Sequence, residues 1–293
     1  MKVKIAIKEK EGQVMYTILE KERLNPFVSR VTIEDEKIAK KAKPGQFVIL
    51  QVDENGERIP LTVADFDRNK GTISIIFQIV GTTTKKLDNL KVGEKLYSLV
   101  GPLGKETEVL NYKKAAVIGG GVGCAIAYPL AKALKENGCQ VHSILGFRNK
   151  ELIILENEFK SVSQKTLIMT DDGSNGNKGL VTDALKSLLT SGEKYDVVFV
   201  IGPLIMMKFV SLLTKEYNLK TIVSMNPIMI DGTGMCGGCR LTVDGKIKFA
   251  CIDGPDFDGH KVDFDELINR NNTYREFEKK SFEKTCNLFK CNK

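Results

Sequence analysis

The stretch Ala115-Ala-Val-Ile-Gly-Gly-Gly-Val-Gly-Cys124, continued by Ala125 to Asn137, decides how this chain is read. Ala115 to Ile118 is a short apolar run, the kind that forms a strand buried on both faces. Gly119, Gly120, Gly121, Val122 and Gly123 then turn the chain into a helical pattern. Strand, glycine turn and helix in that order offer backbone N–H groups and a helix N-terminus to a pyrophosphate. Cys124 stands where the G-x-G-x-x-G fingerprint has its last glycine, so a turn needed only for packing is the other reading.

Downstream the alternation continues. Strands are expected at Gln140 to Leu145, Thr166 to Met169, Asp196 to Ile201 and Thr221 to Met225, with helices at Lys150 to Phe159, Leu180 to Leu189 and Leu204 to Glu216. Strands alternating with helices predict a doubly wound, mostly parallel sheet. No acid follows the second strand, where Gly146-Phe-Arg148 sits; the first acids come after the third, as Asp171-Asp172-Gly173. Carboxylates at a strand's C-terminal end accept ribose hydroxyls and repel a 2′-phosphate, which favours NAD(H) over NADP(H). A solvated Asp-Asp-Gly turn is the alternative.

Upstream the pattern is different. Val14 to Glu20, Ser29 to Ile33, Gln46 to Val52, Gly71 to Val80 and Lys95 to Val100 are short β-rich runs between turn signals such as Asn55-Gly56 and Gly101-Pro102. Without long helical patterns between them, they predict a small antiparallel barrel. The expected architecture is multidomain α+β: residues 1–110 a β-barrel, 111–225 a nucleotide-binding α/β domain, 226–262 a cysteine-rich module and 263–293 a charged helical tail. The tail ends Cys286-Asn-Leu-Phe-Lys-Cys291, read as two ordinary thiols.

The cysteine-rich module reads Asp231-Gly-Thr-Gly-Met-Cys236-Gly-Gly-Cys239, then Phe249-Ala-Cys251. Plant-type [2Fe–2S] sites use C-x4-C-x2-C and a distant fourth cysteine, and here Asp231 takes the first place. A carboxylate is an anionic oxygen donor able to complete an iron coordination sphere. Cys236, Cys239, Cys251 and His260 also have the spacing of a Cys3His zinc site. Three free thiols on a structural turn are the third reading. The glycines favour a cluster, because they let backbone N–H groups approach its sulfurs.

Composition narrows the class. The chain has 293 residues, 42% hydrophobic and 28% charged, with 44 Lys+Arg against 37 Asp+Glu. That suits two globular domains and excludes disordered, collagenous and disulfide-stapled chains. The charges are interspersed, so no nucleic-acid-binding arm is expected. The longest apolar run, Ala115 to Ala131, is interrupted by glycines and Pro129, so no membrane span is expected. Seven cysteines and no leader-like N-terminus indicate a cytoplasmic protein.

Barrel, glycine loop and terminal cysteine module, in that order, resemble the ferredoxin-NADP reductase superfamily. Within it, the chain is similar to electron-transfer subunits carrying FAD and a C-terminal [2Fe–2S] cluster. It resembles the small (alpha) subunits of NADH-dependent reduced ferredoxin:NADP oxidoreductases, which are electron-bifurcating enzymes. The dihydroorotate dehydrogenase electron-transfer subunits have four cysteine ligands, so Asp231 favours the former.

The resemblance implies roles residue by residue. Arg58, Pro60, Leu61 and Thr62 fall on the flavin segment; Phe77, Gln78, Ile79, Thr83 and Thr84 fall where relatives hold the ribityl chain and phosphates of FAD. Gly119 to Gly123, Gly202 and Pro203 match the nucleotide phosphate and nicotinamide sites, and Asp171 and Asp172 again indicate NAD(H). Asp231, Cys236, Cys239 and Cys251 would hold the cluster. No side chain is implied as acid or base, since the cofactors supply the chemistry. The expected relay runs from NADH to FAD to the cluster. It ends on a larger subunit with its own FAD and [4Fe–4S] clusters that handles NADP(H) and ferredoxin, in a heterodimer whose docking surface could include the tail. A non-enzymatic nucleotide-binding protein with structural zinc is the alternative from another class.

Overall fold

The computed structural model describes residues 15–288, with side chains to 284; Val14 and Cys291 lie outside the described residues, as does the Cys286 side chain. The first half holds β1 (Tyr16–Asn25), β2 (Val28–Glu34), α1 (Glu36–Lys41), β3 (Phe47–Gln51), β4 (Arg58–Asp67), β5 (Thr72–Gln78), α2 (Thr82–Asn89), β6 (Lys95–Leu96) and β7 (Ser98–Leu103). All neighbours pair antiparallel in the order β6-β1-β2-β5-β4-β3-β7. Only Tyr97 separates β6 from β7, although they stand at opposite ends of that order, so the sheet curls almost to closure. Its interior is filled by Ile18, Val31, Ile33, Val48, Leu50, Ile73, Ile75 and Phe77, all below 5% exposed.

Strand β4 and helices α1 and α2 were not expected. The reason for β4 is visible in its register. Arg58–Thr62 pairs only with β3, while Val63 onward pairs with β5. Pro60 therefore lies where the strand has one open edge, which is where a strand tolerates proline. Helices α1 and α2 are too short for a periodic signal; each is started by a local cap. Ile38 N donates to Asp35 Oδ1 at 2.8 Å, and Gly81 N donates to Thr84 Oγ1 at 3.0 Å.

The second sheet follows the expected alternation: β8 (Lys114–Gly120), α3 (Gly123–Glu136), β9 (Gln140–Phe147), α4 (Glu156–Val162), β10 (Lys165–Thr170), α5 (Val181–Thr190), β11 (Val197–Ile201), α6 (Leu204–Glu216) and β12 (Thr221–Ser224). Its order is β10-β9-β8-β11-β12 and then β15 (Asp256–Asp258), parallel except for that last strand. The helix expected from Lys150 begins later. Ile154 and Leu155 turn into the core, and Leu155 adopts φ 57° to do so.

The last stretch contains β13 (Arg240–Val243), β14 (Lys246–Phe249), α7 (Ala250–Asp253), β15 (Asp256–Asp258), α8 (Phe264–Asn271) and α9 (Arg275–Leu288). Strand β15 joins the parallel sheet by pairing with β12, so the cysteine-rich stretch is built onto its edge. One continuous core carries this through: Phe47 and Ile49 of the barrel, Val223 and Met225 of the second sheet, and Cys239, Leu241 and Cys251 pack together. Among the described residues, no helix is long and apolar enough to cross a membrane.

Candidate functional site

The site is organised around β4. Strands β4 and β5 stop pairing at Val63 and Ile75. Beyond that point Arg58–Thr62 follows β3, while Ile76, Phe77 and Gln78 follow β2. The two strands therefore part, leaving a groove with Arg58, Pro60, Leu61 and Thr62 on one side and Phe77–Ile79 on the other. Helix α2 starts at the end of the second side, next to Gly81, where an added Cβ would meet nothing within 4 Å. An open space before a helix N-terminus suits phosphate oxygens. Arg58 is exposed at the start of β4 and has no ion pair among the described residues. The Phe77 side chain points into the barrel core, so only its backbone can serve a ligand. Thr83 Oγ1 donates to Glu57 Oε2 at 3.0 Å, tying the two sides together. Thr84 Oγ1 caps the helix by accepting from Val80 N and Gly81 N.

The glycine loop reaches the same strand. Helix α3, which it opens, packs Ala125 and Ala127 into one core with Ala64 of β4, Ile76 of β5 and Val28 of β2. Within the loop the glycines have separate duties. A Cβ on Gly123 would lie 2.5 Å from Ile201 O and 2.8 Å from Gly202 Cα, and one on Gly120 would lie 2.5 Å from Met206 Sδ and 3.0 Å from Pro203 Cδ. These two, with Gly119 against Cys124, let β8, α3 and the Gly202-Pro203 turn close on one another. Gly121 differs: its φ is +55° and a Cβ there would meet nothing within 4 Å. Its N–H donates to Gly146 O at 2.9 Å, which fixes the loop to β9. The loop is both packed and open on one side, as a pyrophosphate requires; Val122 is the N-cap of α3. Asp171 N donates to Phe147 O at 3.0 Å, so the acids stand beside the end of β9, one strand beyond the loop. Asp172 Oδ1 accepts from Ser174 N at 2.9 Å, which holds its carboxyl below the usual range.

The cysteine loop lies on the other side of β4. Gly232, at φ +77°, brings its Cα so close to the barrel that a Cβ would be 2.8 Å from Leu103 Cδ1 and 2.9 Å from Ile49 Cγ1. Ile49 is the direct partner of Pro60. The cysteine loop thus touches the strand next to the flavin segment. Both oxygens of Asp231 are used by its own loop: Thr233 N donates at 2.6 Å and Cys236 N at 2.7 Å. These N–H groups, Thr233 first, hold its carboxyl at about 2, so it is an anion at neutral pH. Carboxylate oxygens accept more than one contact each, which leaves lone pairs for a metal.

Cys239 and Cys251 are brought together by the β13–β14 hairpin. Arg240 pairs with Phe249, which sets the residues flanking the hairpin opposite each other; the two sulfurs are 3.2 Å apart and buried. Cys251 N lies 3.5 Å from Cys239 Sγ, and Gly238 N 3.4 Å from Cys236 Sγ. N–H groups aimed at sulfur favour thiolates. Burial pushes the Cys251 thiol up, so without a metal it is protonated. The arrangement is two pairs, Asp231 with exposed Cys236 and Cys239 with Cys251. A cluster of two irons needs such pairs, one per iron. Among the described residues no three His, Cys, Asp or Glu side chains converge on one ion. His260, the fourth ligand of the zinc reading, is engaged elsewhere: its Nε2 is 3.0 Å from Thr214 Oγ1 of α6.

Comparisons with known proteins agree with this geometry. Residues 226–263 match the iron–sulfur cluster binding domain of dihydroorotate dehydrogenase B, and residues 117–212 match the oxidoreductase NAD-binding domain. A dihydroorotate dehydrogenase B (NAD(+)) electron transfer subunit homologue of Thermotoga maritima is 47% identical over 273 residues, covering 93% of this chain and 96% of the relative. The chain belongs to the dihydroorotate dehydrogenase B electron-transfer-subunit family. The electron transfer subunit of Desulforamulus reducens is 35% identical over 233 residues, 77% of this chain and 88% of its own. The solved structure of an NADH-dependent reduced ferredoxin-NADP oxidoreductase, concerned with flavin-based electron bifurcation, aligns with a TM-score of 0.87 at 46% identity. That alignment covers 94% of this chain and 99% of the other. The chain is an oxidoreductase subunit of that multidomain reductase fold.

For this electron-transfer subunit, sequence reading missed the hairpin that pairs Cys239 with Cys251. Its signal is Asp244-Gly245 between two β-forming runs: both residues have positive φ, 53° and 68°, as a type I′ turn demands. Asp231 provides a direct test of the loop. Asp231→Ala removes the acceptor for two backbone N–H groups and the anionic donor, so iron should fall from about two to below about one per chain. Asp231→Cys should keep the iron and shift its reduction potential by on the order of 100 mV, since potentials follow ligand type. Iron analysis and an anaerobic redox titration check both.

Proposed function

We propose that this chain is the electron-transfer subunit of a flavin-based bifurcating ferredoxin:NADP oxidoreductase, passing electrons between NAD(H), FAD and a [2Fe–2S] cluster to a larger flavin and iron–sulfur subunit. The supporting observation is the position of β4. It carries the flavin segment, packs on the helix opened by the glycine loop, and neighbours the strand that touches the cysteine loop. In this reading residues 1–110, 111–225, 226–262 and 263–293 are the flavin, nucleotide, cluster and tail units.

When bound, the nicotinamide and flavin exchange a hydride and the flavin and cluster exchange single electrons. The chain supplies the rest. Arg58 and the first turn of α2 neutralise FAD phosphates, and the Thr83–Glu57 contact keeps the groove at a fixed width. Gly121 leaves room for the NAD(H) pyrophosphate, Asp171 accepts the ribose hydroxyls, and Gly202-Pro203 borders the nicotinamide. Asp231, Cys236, Cys239 and Cys251 would hold the [2Fe–2S] cluster, which would supply one-electron transfer. The two histidines take no part: His142 Nδ1 bonds Tyr195 OH at 2.9 Å inside the second sheet, and His260 bonds Thr214.

The partner has a natural seat. Met235 is 89% exposed beside Cys236, with exposed Ile230 and Ile252 around the loop. Exposed apolar residues gathered around an electron outlet mark a protein interface. Anaerobic purification of the tagged chain from its source should bring down a larger subunit, and the pair should reduce NADP with reduced ferredoxin and NADH. Met235→Asp should abolish co-purification and leave flavin and iron contents unchanged. The names of the relatives favour a second reading, in which the partner oxidises dihydroorotate. Asp231 in the first ligand place speaks for the first reading, and the identity of the captured partner decides between them.

A further inference from the structure

Helix α2 is secured along most of its length from within the barrel. Buried Asp88 accepts from Arg23 Nη2 at 2.7 Å and Ser29 Oγ at 2.8 Å. Lys86 Nζ donates to Asp53 Oδ2 at 2.8 Å, and Thr83 bonds Glu57. Its first residue is met from elsewhere. Thr82 Oγ1 lies 3.0 Å from Ser281 Oγ of α9, 199 residues further along the chain. Helix α9 therefore returns from the far end of the chain to the first turn of α2, next to the open space at Gly81. Ser281 follows Lys279 and Lys280, with Lys284 one turn on and Glu278 one turn before, so its stretch of α9 carries three lysines beside Glu278 and Glu283.

We infer that α9 forms one wall of the FAD phosphate site and that Ser281 positions the first turn of α2 there. The inference rests on reading Gly81–Thr84 as the segment that receives the FAD phosphates. A hydroxyl bridging two helices stops the first turn of α2 from fraying, and a frayed turn presents fewer ordered N–H groups to an anion. The same placement puts any charge introduced at position 281 close to bound phosphate, where its sign must matter.

The test uses the full chain, stripped of flavin and titrated with FAD, with dissociation constants read from quenching of flavin fluorescence. Ser281→Asp should weaken FAD about tenfold, a change of about 1.4 kcal/mol. Ser281→Lys should bind FAD at least as well as the parent, and Ser281→Ala should lose about two- to fivefold. The melting temperature of the flavin-free protein should be the same for all three, since the contact is exposed. A purely structural contact would make Asp and Lys equally harmful and would lower that melting temperature. Equal effects of Asp and Lys, or FAD affinity untouched by all three, would overturn the assignment of α9. A parent chain that binds no FAD at all would overturn the flavin reading of Gly81–Thr84, and this inference with it.

Discussion

Cys239→Ser yields a chain that still binds flavin and still reacts with NADH but holds almost no iron and delivers no electrons to its partner. Two features of the site require this outcome. Cys239 and Cys251 form the buried pair, with sulfurs 3.2 Å apart, set opposite each other by the hairpin register. Serine is close to cysteine in size, so the core that contains Leu241, Val243 and Ala250 stays filled, at the cost of one buried hydroxyl. Its hydroxyl, however, is a poor anion near neutral pH and cannot replace thiolate. Iron should drop from about two per chain to near zero. Reduction of a one-electron acceptor through the partner should fall by at least about 100-fold, equivalent to some 2.7 kcal/mol of barrier. NADH-driven bleaching of the flavin should be unchanged, because Cys239 belongs neither to the glycine loop nor to the β4 groove. Cys124→Ser is the control, being buried in a different core from the one that holds Cys239 and Cys251.

The second large effect separates packing from binding within the glycine loop. Gly123→Ala places a methyl 2.5 Å from Ile201 O and 2.8 Å from Gly202 Cα. Both are backbone atoms and cannot swing aside, so either α3 or the end of β11 must move. Overpacking of this kind costs about 1–3 kcal/mol, a large share of a stability of about 5–15 kcal/mol. The same displacement shifts Gly202-Pro203, so NADH should bind at least about tenfold more weakly, a loss of about 1.4 kcal/mol. Gly121→Ala meets no atom, and its cost is the left-handed φ of +55°, about 1–2 kcal/mol. Its methyl projects into the open side of the loop, so NADH affinity should drop while the barrel and the iron content stay intact. Thermal melting together with NADH titration checks the pair. Wild-type NADH affinity in Gly121→Ala would mean that the pyrophosphate does not lie on this loop.

Much of this was legible in the residues. The alternation from Ala115 to Ser224 follows from apolar runs long enough to be strands and helical periods long enough to count. The cysteine spacing pointed to iron because the intervening glycines are costly unless a backbone must come close. What escaped reading was set by pairing between distant segments. Strand β4 hides behind Pro60, which is tolerated only because its edge faces the groove. Helices α1 and α2 are too short to show a period. The Lys150 helix starts late because Ile154 and Leu155 gain more from burial in the core than from an early helical turn. The joining of β15 to β12 brings the cluster stretch onto the parallel sheet, and nothing in the local sequence around Asp256 announces it. The parting of β4 and β5, which opens the groove beside Arg58–Thr62, is likewise a property of two registers and of neither strand alone.

If β4 joins three redox stations in a single chain, an anaerobic visible spectrum of the purified protein before and after NADH, with iron and zinc counted on the same sample, shows it. A flavin envelope with a broad iron–sulfur shoulder is expected, both bleaching on NADH, with about two irons per chain. A colourless sample carrying about one zinc and indifferent to NADH would contradict it.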